Sequence, residues 1–176
     1  MEIITKKRST YISIIQVSEK SNLMKKRQSE IIKEIAQELD CGFDCYYNSK
    51  TYEIVAIPNF SQFSDEDEFK EAFSDSLEKV AKHKTDFIKF ETLETFESFK
   101  IMELFVEQLS DQNLKSQLEN ILENKKPFQN FKHKIDHSEY RQRWFEFKKS
   151  ELEKIVENQL ESRKACAQQS AKPKNK

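Results

Sequence analysis

Apolar residues recur every three or four positions along most of the chain, which predicts a largely helical protein. The first such stripe begins after Met24, places Ile35 and Leu39 on one helix face, and stops at Gly42, a residue type that commonly follows a helix end. Ser64, followed by three acidic residues, predicts the start of a second helix. The apolar stripes predict helices that run to about Lys82, from Glu94 to a break at Ser110, from Leu114 to Leu122, from Pro127 to Ile135, and from Tyr140 to Leu160.

Two short runs of aromatic and β-branched residues interrupt the helical pattern and predict a β-hairpin. They cover residues 43–48 and 52–57, and the second ends at Pro58, which lacks the N–H that a central strand needs. Residues 86–91 predict a third strand, and the isolated run YISIIQV at 11–17 predicts one more, paired with a sheet edge. The predicted fold class is therefore α+β, with a small antiparallel sheet of about three short strands packed with helices and an α-helical C-terminal half.

The distribution of charge divides the chain into three predicted regions. Residues 1–23 form an N-terminal extension with net charge +2 that includes the extra strand, and residues 163–176 form a disordered basic tail with net charge +5. Since the whole chain carries −1, the single α+β domain predicted at 24–162 carries −8. An acidic body is not typical of a fold that grips a phosphate backbone, and it favours a partner with a basic patch.

Composition excludes several classes of function. Gly42 is the only glycine, so the chain has no glycine-rich phosphate loop and no dinucleotide-binding fingerprint, and no cofactor is predicted. Three cysteines, an odd number, do not predict a closed disulfide framework. No stretch reaches the ~20 apolar residues of a membrane span, and no secretory signal is recognised. We expect a soluble cytoplasmic protein that does not associate with membranes.

The segment FQNFKHKIDHSEYRQRWFEF at 128–147 concentrates aromatic residues and contains the only tryptophan. Placed on two helices, most of its rings point into a shared core, while Phe145 projects from a different side of its helix than Trp144. Each large side chain that is buried stabilises a fold by roughly 1.5–3 kcal/mol. Rings that reach solvent instead predict a partner surface. The candidate surface consists of Phe128, Phe131, Lys132, Trp144, Phe145 and Phe147.

Two pairs of residues have spacings that suit metal ligands. His133 and His137 stand four apart, but Asp136, predicted to cap the last helix, places a helix break beside His137. The sequence HKIDH also lacks the glutamate that follows the first histidine in zinc-protease helices. Cys41 lies at the end of the first predicted helix, and Cys45 lies in the strand predicted at 43–48, where neighbouring side chains alternate between two faces. We interpret the histidines as surface or capping residues and the cysteines as reduced thiols, and we predict no metal site.

Four motifs in the same order resemble a bacterial family known as uncharacterised protein family 0158. TYEIV at 51–55 stands where the family has a Thr-Gly-Glu hairpin turn before an apolar strand, with Tyr52 in place of the glycine. The other motifs are IMELF at 101–105, FQNFK at 128–132 and WFEF at 144–147, which are similar to the family's Ile-Met-x-x-Phe, Phe-x-x-Phe-Lys and Trp-aromatic-x-Phe. The resemblance covers residues 28–160 and implies no assigned activity, substrate or catalytic residue.

The chain contains none of the catalytic motifs that can be recognised by spacing, such as a nucleophile elbow. We therefore hypothesise a small non-catalytic interaction or regulatory module that binds another protein. A first alternative is a nucleic-acid-associated regulator that uses the basic termini, and a second is an enzyme of unrecognised class. The candidate nucleic-acid contacts are Lys25, Lys26, Arg27, Arg163, Lys164, Lys172, Lys174 and Lys176.

Overall fold

The structure, a computed structural model, describes residues 2–59 and 70–170, with side chains described for residues 19–59 and 70–163. These residues form two compact units, divided along the chain between Glu34 and Ile35. The first unit is a single helical segment, and the second contains the sheet and the remaining helices. The separate regions predicted at 1–23, 24–162 and 163–176 stay predictions.

The first helix, α1 (Glu2–Asp40), is longer than the sequence pattern predicts. Residues 11–17, predicted as a strand, are helical, so that prediction is wrong. Neither glycine nor proline interrupts the chain before Gly42, and helix extension is cooperative, which outweighs the weak strand preference of β-branched residues. The predicted apolar stripe is buried at Ile31, Ile32, Ile35, Ala36 and Leu39.

Gly42 ends α1 in the way that its residue type predicts. Its φ of 87° lies in the left-handed region, which glycine enters without steric cost. The N–H of Gly42 donates to the carbonyl of Leu39 (3.1 Å), and the carbonyl of Gly42 accepts from the N–H of Asn59 (3.3 Å). The same residue thus ends the helix and anchors the end of the hairpin that follows.

Three strands form an antiparallel sheet: β1 (Phe43–Asn48), β2 (Glu53–Pro58) and β3 (Phe87–Phe90). β1 lies in the centre, in the order β2-β1-β3. In this register Tyr46 lies opposite Val55 of β2 and Lys89 of β3. The predicted hairpin and third strand are confirmed, and their limits agree with the sequence pattern to within one residue.

The turn between β1 and β2 contains a left-handed residue. Tyr52 has a φ of 64°, a conformation that favours glycine because a Cβ crowds the neighbouring carbonyl. Its N–H donates to the carbonyl of Asn48 at 2.8 Å. The Oδ1 atom of Asn48 accepts from the N–H groups of Lys50 (2.9 Å) and Thr51 (3.2 Å). These bonds hold the turn and satisfy the buried side chain of Asn48.

Both faces of the sheet pack against helices. The helix α2 (Ser74–Lys82) covers one face, where Val80 forms a buried cluster with Val55 and Ile57 of β2. On the opposite face the buried thiol of Cys45 donates to the carbonyl of Ile35 in α1, with 3.9 Å between sulfur and oxygen. The alternation of side chains along the strands places these two contacts on different faces.

The rest of the fold is helical, as predicted. Pro127 occupies the start of its helix, where its missing N–H would have had no partner in the helix. Residues 70–72 are helical as well, and the helix start predicted at Ser64 lies outside the described residues. The remaining helices are α3 (Thr95–Glu107), α4 (Gln112–Glu123), α5 (Pro127–Asp136) and α6 (Arg141–Ser170). Within the described ranges no helix is both long and apolar enough to cross a membrane.

A capping prediction for the last helix is wrong, and the helix extends into the segment predicted as a tail. Asp136 is the final residue of α5 and does not cap α6, which begins at Arg141, and the two side chains form an ion pair at 3.2 Å. The helix α6 continues through Ser170, although the sequence predicts disorder from residue 163. No glycine or proline stands between Pro127 and Pro173, so no residue of the helix-breaking types ends α6 earlier.

Helices α3 to α6 enclose one buried apolar cluster. Its members Phe105, Leu118, Phe131 and Ile135 are each at most 2% exposed. Trp144 and other half-buried side chains of α6 pack against the same cluster. Burial on this scale holds the four helices together, since the hydrophobic term grows with the apolar area removed from water. The α+β fold class with a helical C-terminal half is confirmed.

Candidate functional site

Helices α3, α5 and α6 surround a groove of about 560 Å³, a volume typical of ligand sites. We call it the aromatic groove, because four aromatic residues of the candidate surface line it. Its lining residues are Leu93 just before α3, Thr95, Ser98, Ile101 and Met102 along α3, Phe128, Phe131, Lys132, Ile135 and Asp136 along α5, and Trp144, Phe145 and Lys148 along α6. Lys132 makes a fifth candidate residue in the lining.

The floor of the aromatic groove consists of rings that belong to the core. Phe131 is 1% exposed, and its ring centre lies 4.9 Å from that of Trp144 in an edge-to-face arrangement. Phe105 contacts both rings, with centre-to-centre distances of 6.4 Å to Phe131 and 5.1 Å to Trp144. Such pairs contribute about 0.5–1.5 kcal/mol each beyond the area that they bury. The floor is therefore held in place by the same contacts that stabilise the bundle.

The rim of the groove carries two rings that reach solvent. Phe128 is 39% exposed and touches Phe99 edge to face, with 6.2 Å between the ring centres. Phe145 is 40% exposed and lies under the guanidinium of Arg141, 4.8 Å from the ring centre. The two phenylalanines project from α5 and α6 and so belong to different walls of the groove.

Three charged side chains line the aromatic groove. Asp136 is paired with Arg141 at 3.2 Å, and the ammonium of Lys148 is paired with the carboxylate of Asp40. Lys132 is exposed and forms no ion pair with any residue in the described part of the chain. The groove therefore presents an apolar floor and one positive charge whose counter-ion is not supplied by the described residues.

Phe147, the sixth residue of the candidate surface, does not line the groove. It is half-buried, packs against the bundle core, and its ring centre lies 5.5 Å from that of Phe105. Because Phe147 follows Trp144 by three positions on α6, its ring packs beside that of Trp144 and faces the core. We therefore regard Phe147 as a packing residue.

The histidine and cysteine pairs differ in their surroundings. The rings of His133 and His137 lie side by side, 4.4 Å between centres, and Nδ1 of His137 donates to the carbonyl of His133 at 2.8 Å. Cys41 is exposed just after α1, whereas Cys45 is buried in β1, the central strand of the sheet. Among the described residues, no group of three or more His, Cys, Asp or Glu side chains is placed to hold a metal ion.

The candidate nucleic-acid contacts are only partly described. Lys25, Lys26 and Arg27 are exposed on α1, and Arg163 is exposed on α6. The side chain of Lys164, together with Lys172, Lys174 and Lys176, lies outside the described residues. The structure thus shows Lys25, Lys26 and Arg27 exposed to solvent on one turn of a helix.

The resolved electrostatic effects belong to the sheet and its turns. Partial burial by itself lowers the pKa of Lys89, but its hydrogen bond to Glu91 (2.8 Å) and its ion pair with Asp44 (3.0 Å) outweigh burial and raise that pKa above its usual value. A hydrogen bond of 2.8 Å between Lys50 and Asp86 raises the pKa of the lysine and lowers the pKa of the carboxyl. These shifts keep Lys50, Lys89 and Asp86 charged at neutral pH, whereas a general acid or base needs a pKa close to the pH at which it works.

Sequence reasoning missed the α3 wall of the groove. Leu93, Thr95 and Ser98 stand about thirty residues before the aromatic segment, and only the tertiary fold brings them to it. Lys148 was also missed, although its position four residues after Trp144 indicates a shared helix face. The sequence pattern predicts the apolar stripe of α3, but nothing in the first turn of this helix predicts a groove.

Comparison with known proteins identifies a family but no characterised relative. A family model described as Uncharacterised protein family (UPF0158) matches residues 21–171. No curated protein and no solved structure matches the chain. The matched range contains every residue that lines the aromatic groove, and it includes the four motifs noted above. The family model covers most of the chain, and the chain therefore belongs to the uncharacterised protein family UPF0158.

Proposed function

We propose that this protein is a non-catalytic interaction module with a regulatory role, and that it binds another protein at the aromatic groove. The observation that carries the proposal is the pair of exposed rings, Phe128 and Phe145, on different walls of a groove whose floor is aromatic. Aromatic side chains beside a preformed pocket are typical anchors of protein interfaces, because burying them on binding gains free energy with little loss of conformational freedom.

The charged groups of the groove support binding over catalysis. Of its three ionisable side chains, Asp136 and Lys148 are engaged by Arg141 and Asp40, which do not line the groove. A catalytic site instead needs acid and base groups aimed at a common substrate position. The exposed thiol of Cys41 fits a reducing compartment, and we place the protein in the cytoplasm.

The proposal is tested by removing the rim rings. We expect that the double variant Phe128→Ser/Phe145→Ser, used as bait in a native lysate, loses proteins that the unaltered chain captures repeatedly. The control is Phe96→Ser, because Phe96 is 72% exposed and does not line the groove. This control removes one exposed ring of the same type on α3 and leaves the groove intact.

Two results would overturn this proposal. Equal recovery of every captured protein by the control and the double variant would show that the groove is not the binding surface. If repeated capture experiments recover no protein, while a substrate screen shows turnover of a metabolite, the enzyme alternative would be favoured. Circular dichroism of each variant establishes that the fold is kept, so that lost binding is not lost structure.

The second candidate function is nucleic-acid-associated regulation through the basic termini. The exposure of Lys25, Lys26 and Arg27 on one turn of α1 favours it, since exposed cations release counter-ions from a phosphate backbone. The triple variant to glutamine is expected to weaken a low-salt gel shift if these residues carry the contact. Absence of any shift for the unaltered chain at low salt would exclude this candidate.

A further inference from the structure

The local charge of the aromatic groove is opposite in sign to that of the region predicted as the body. Residues 24–162 carry −8, yet two of the three charged residues that line the groove are lysines. Asp136 and Lys148 are each neutralised by a partner outside the groove, which leaves Lys132 as the unpaired charge among the described lining residues. An occupant with a negative group would therefore gain an ion pair at Lys132 without breaking another.

Lys132 lies at the middle of one groove wall. Phe128, Lys132 and Asp136 follow one another at steps of four residues, so they form a single stripe along α5. The ends of this stripe are eight residue steps apart, which at a rise of about 1.5 Å per residue gives a wall of about 12 Å. A wall of this length accommodates roughly two turns of an α-helix. The lysine would face the middle of such a segment.

The walls of the groove determine which backbone conformation an occupant can adopt. All three walls are helices, whose interior N–H and C=O groups are bonded within the helix itself. In the capping box at the start of α3, the Glu94 side chain accepts from the N–H of Glu97 and the Glu97 side chain accepts from the N–H of Glu94, so these two backbone N–H groups already have partners. An extended segment would lack partners for its backbone here, whereas a helix satisfies its own.

On the basis of the proposed function, we propose that the groove binds a short amphipathic α-helix of another protein, and that this helix carries a carboxylate opposite Lys132. Apolar side chains on one face of that helix, at spacings of three, four and seven residues, contact Phe128, Trp144 and Phe145. An aspartate or glutamate beside this stripe pairs with the ammonium of Lys132. The acidic residue selects the partner, and the apolar face provides most of the affinity.

The test is selection from a displayed library of amphipathic helices, with the full chain as the target. The library fixes the apolar positions and randomises the flanking positions. We expect acidic residues to be enriched beside the apolar stripe with the unaltered chain, and this enrichment to disappear with Lys132→Gln. The matched control is Lys134→Gln, which removes the same charge from the same helix at a residue that does not line the groove.

Affinities of the selected helices are then measured by the fluorescence of Trp144, the only tryptophan of the chain, which lies in the groove. A selected acidic helix is expected to bind about two- to five-fold more weakly to Lys132→Gln, as for other partly exposed ion pairs. Its glutamate-to-glutamine counterpart should bind the unaltered chain and the variant equally. The difference should shrink as salt is added.

The outcomes separate this inference from the proposed function. Helices that depend on Phe128 and Phe145 but show no acidic preference would overturn the inference and leave protein binding at the groove intact. Enriched helices that bind the Phe128→Ser/Phe145→Ser variant equally well would overturn both. Failure to enrich any helix would overturn the inference, and quenching of Trp144 by decanoate in that case would indicate that the groove binds a small anionic amphiphile.

Discussion

At the scale of single residues, Tyr52 adopts a backbone conformation that glycine adopts more readily. Its φ of 64° is imposed by the tight connection between β1 and β2, in which its N–H bonds to the carbonyl of Asn48. The resemblance to the family pattern places a glycine at this position. At Tyr52 the chain bears the steric cost of a Cβ in the left-handed region, on the order of 1–2 kcal/mol.

We predict that Tyr52→Gly is more stable than Tyr52→Ala by about 1 kcal/mol. Both variants lose the ring, which is 39% exposed, so the comparison isolates the Cβ atom in the left-handed conformation. The free energy of unfolding is measured by urea denaturation with the slope held in common. Equal denaturation midpoints for the two variants would show that the turn relaxes and that no strain is present.

At the scale of elements, the ends of the helices show how local chemistry sets boundaries. Asp111 precedes α4, and its Oδ1 accepts from the N–H groups of Asn113 (2.9 Å) and Leu114 (3.1 Å). These bonds satisfy two N–H groups that otherwise have no partner inside the helix. The break that the sequence predicts at Ser110 therefore has its cause in the next residue.

Replacing this cap should destabilise the helix bundle. We expect Asp111→Ala to lower the free energy of unfolding by about 1 kcal/mol, and Asp111→Asn to lower it far less because asparagine keeps the acceptor oxygen. Glu119→Ala serves as the control, since Glu119 is exposed on the same helix and far from its start. Thermal denaturation of the three variants checks the order, and an equal loss for alanine and asparagine would contradict the capping role.

At the scale of the whole molecule, helices α3 to α6 share one buried apolar core. The aromatic groove lies at the outer surface of that core. Phe131 and Trp144 belong to both, whereas Phe128 and Phe145 contribute mainly to the rim. Binding and stability are therefore separable here at the level of individual rings. That separation is what makes the rim variants interpretable.

We predict that Leu118→Ala lowers the free energy of unfolding by about 2–5 kcal/mol, because Leu118 is fully buried and the variant leaves a cavity. Phe128→Ser and Phe145→Ser should each cost about 1–2 kcal/mol, since only part of each ring is removed from water. Urea denaturation with fluorescence of Trp144 measures all three. A loss as large as that of Leu118→Ala for a rim variant would mean that its ring is structural.

Most of the fold could be predicted because its elements follow local rules of period and residue type. The stripe that includes Ile35 and the hairpin at 43–58 are properties of short segments, and both are confirmed. The strand predicted at 11–17 is wrong because the prediction considered only the strand preference of this β-branched run. It did not consider the helix that extends through the run. The helical continuation to Ser170 was missed because the tail lacks an apolar stripe.

The sequence by itself determined which residues are aromatic, how they are spaced on α5 and α6, and that no glycine-rich phosphate site exists. Only the tertiary structure decided which rings reach solvent, that α3 supplies the third wall, and that Lys132 is left without a counter-ion among the described residues. The reason is physical. Periodicity is a property of consecutive residues, whereas exposure and pairing depend on helices packed together from distant parts of the chain.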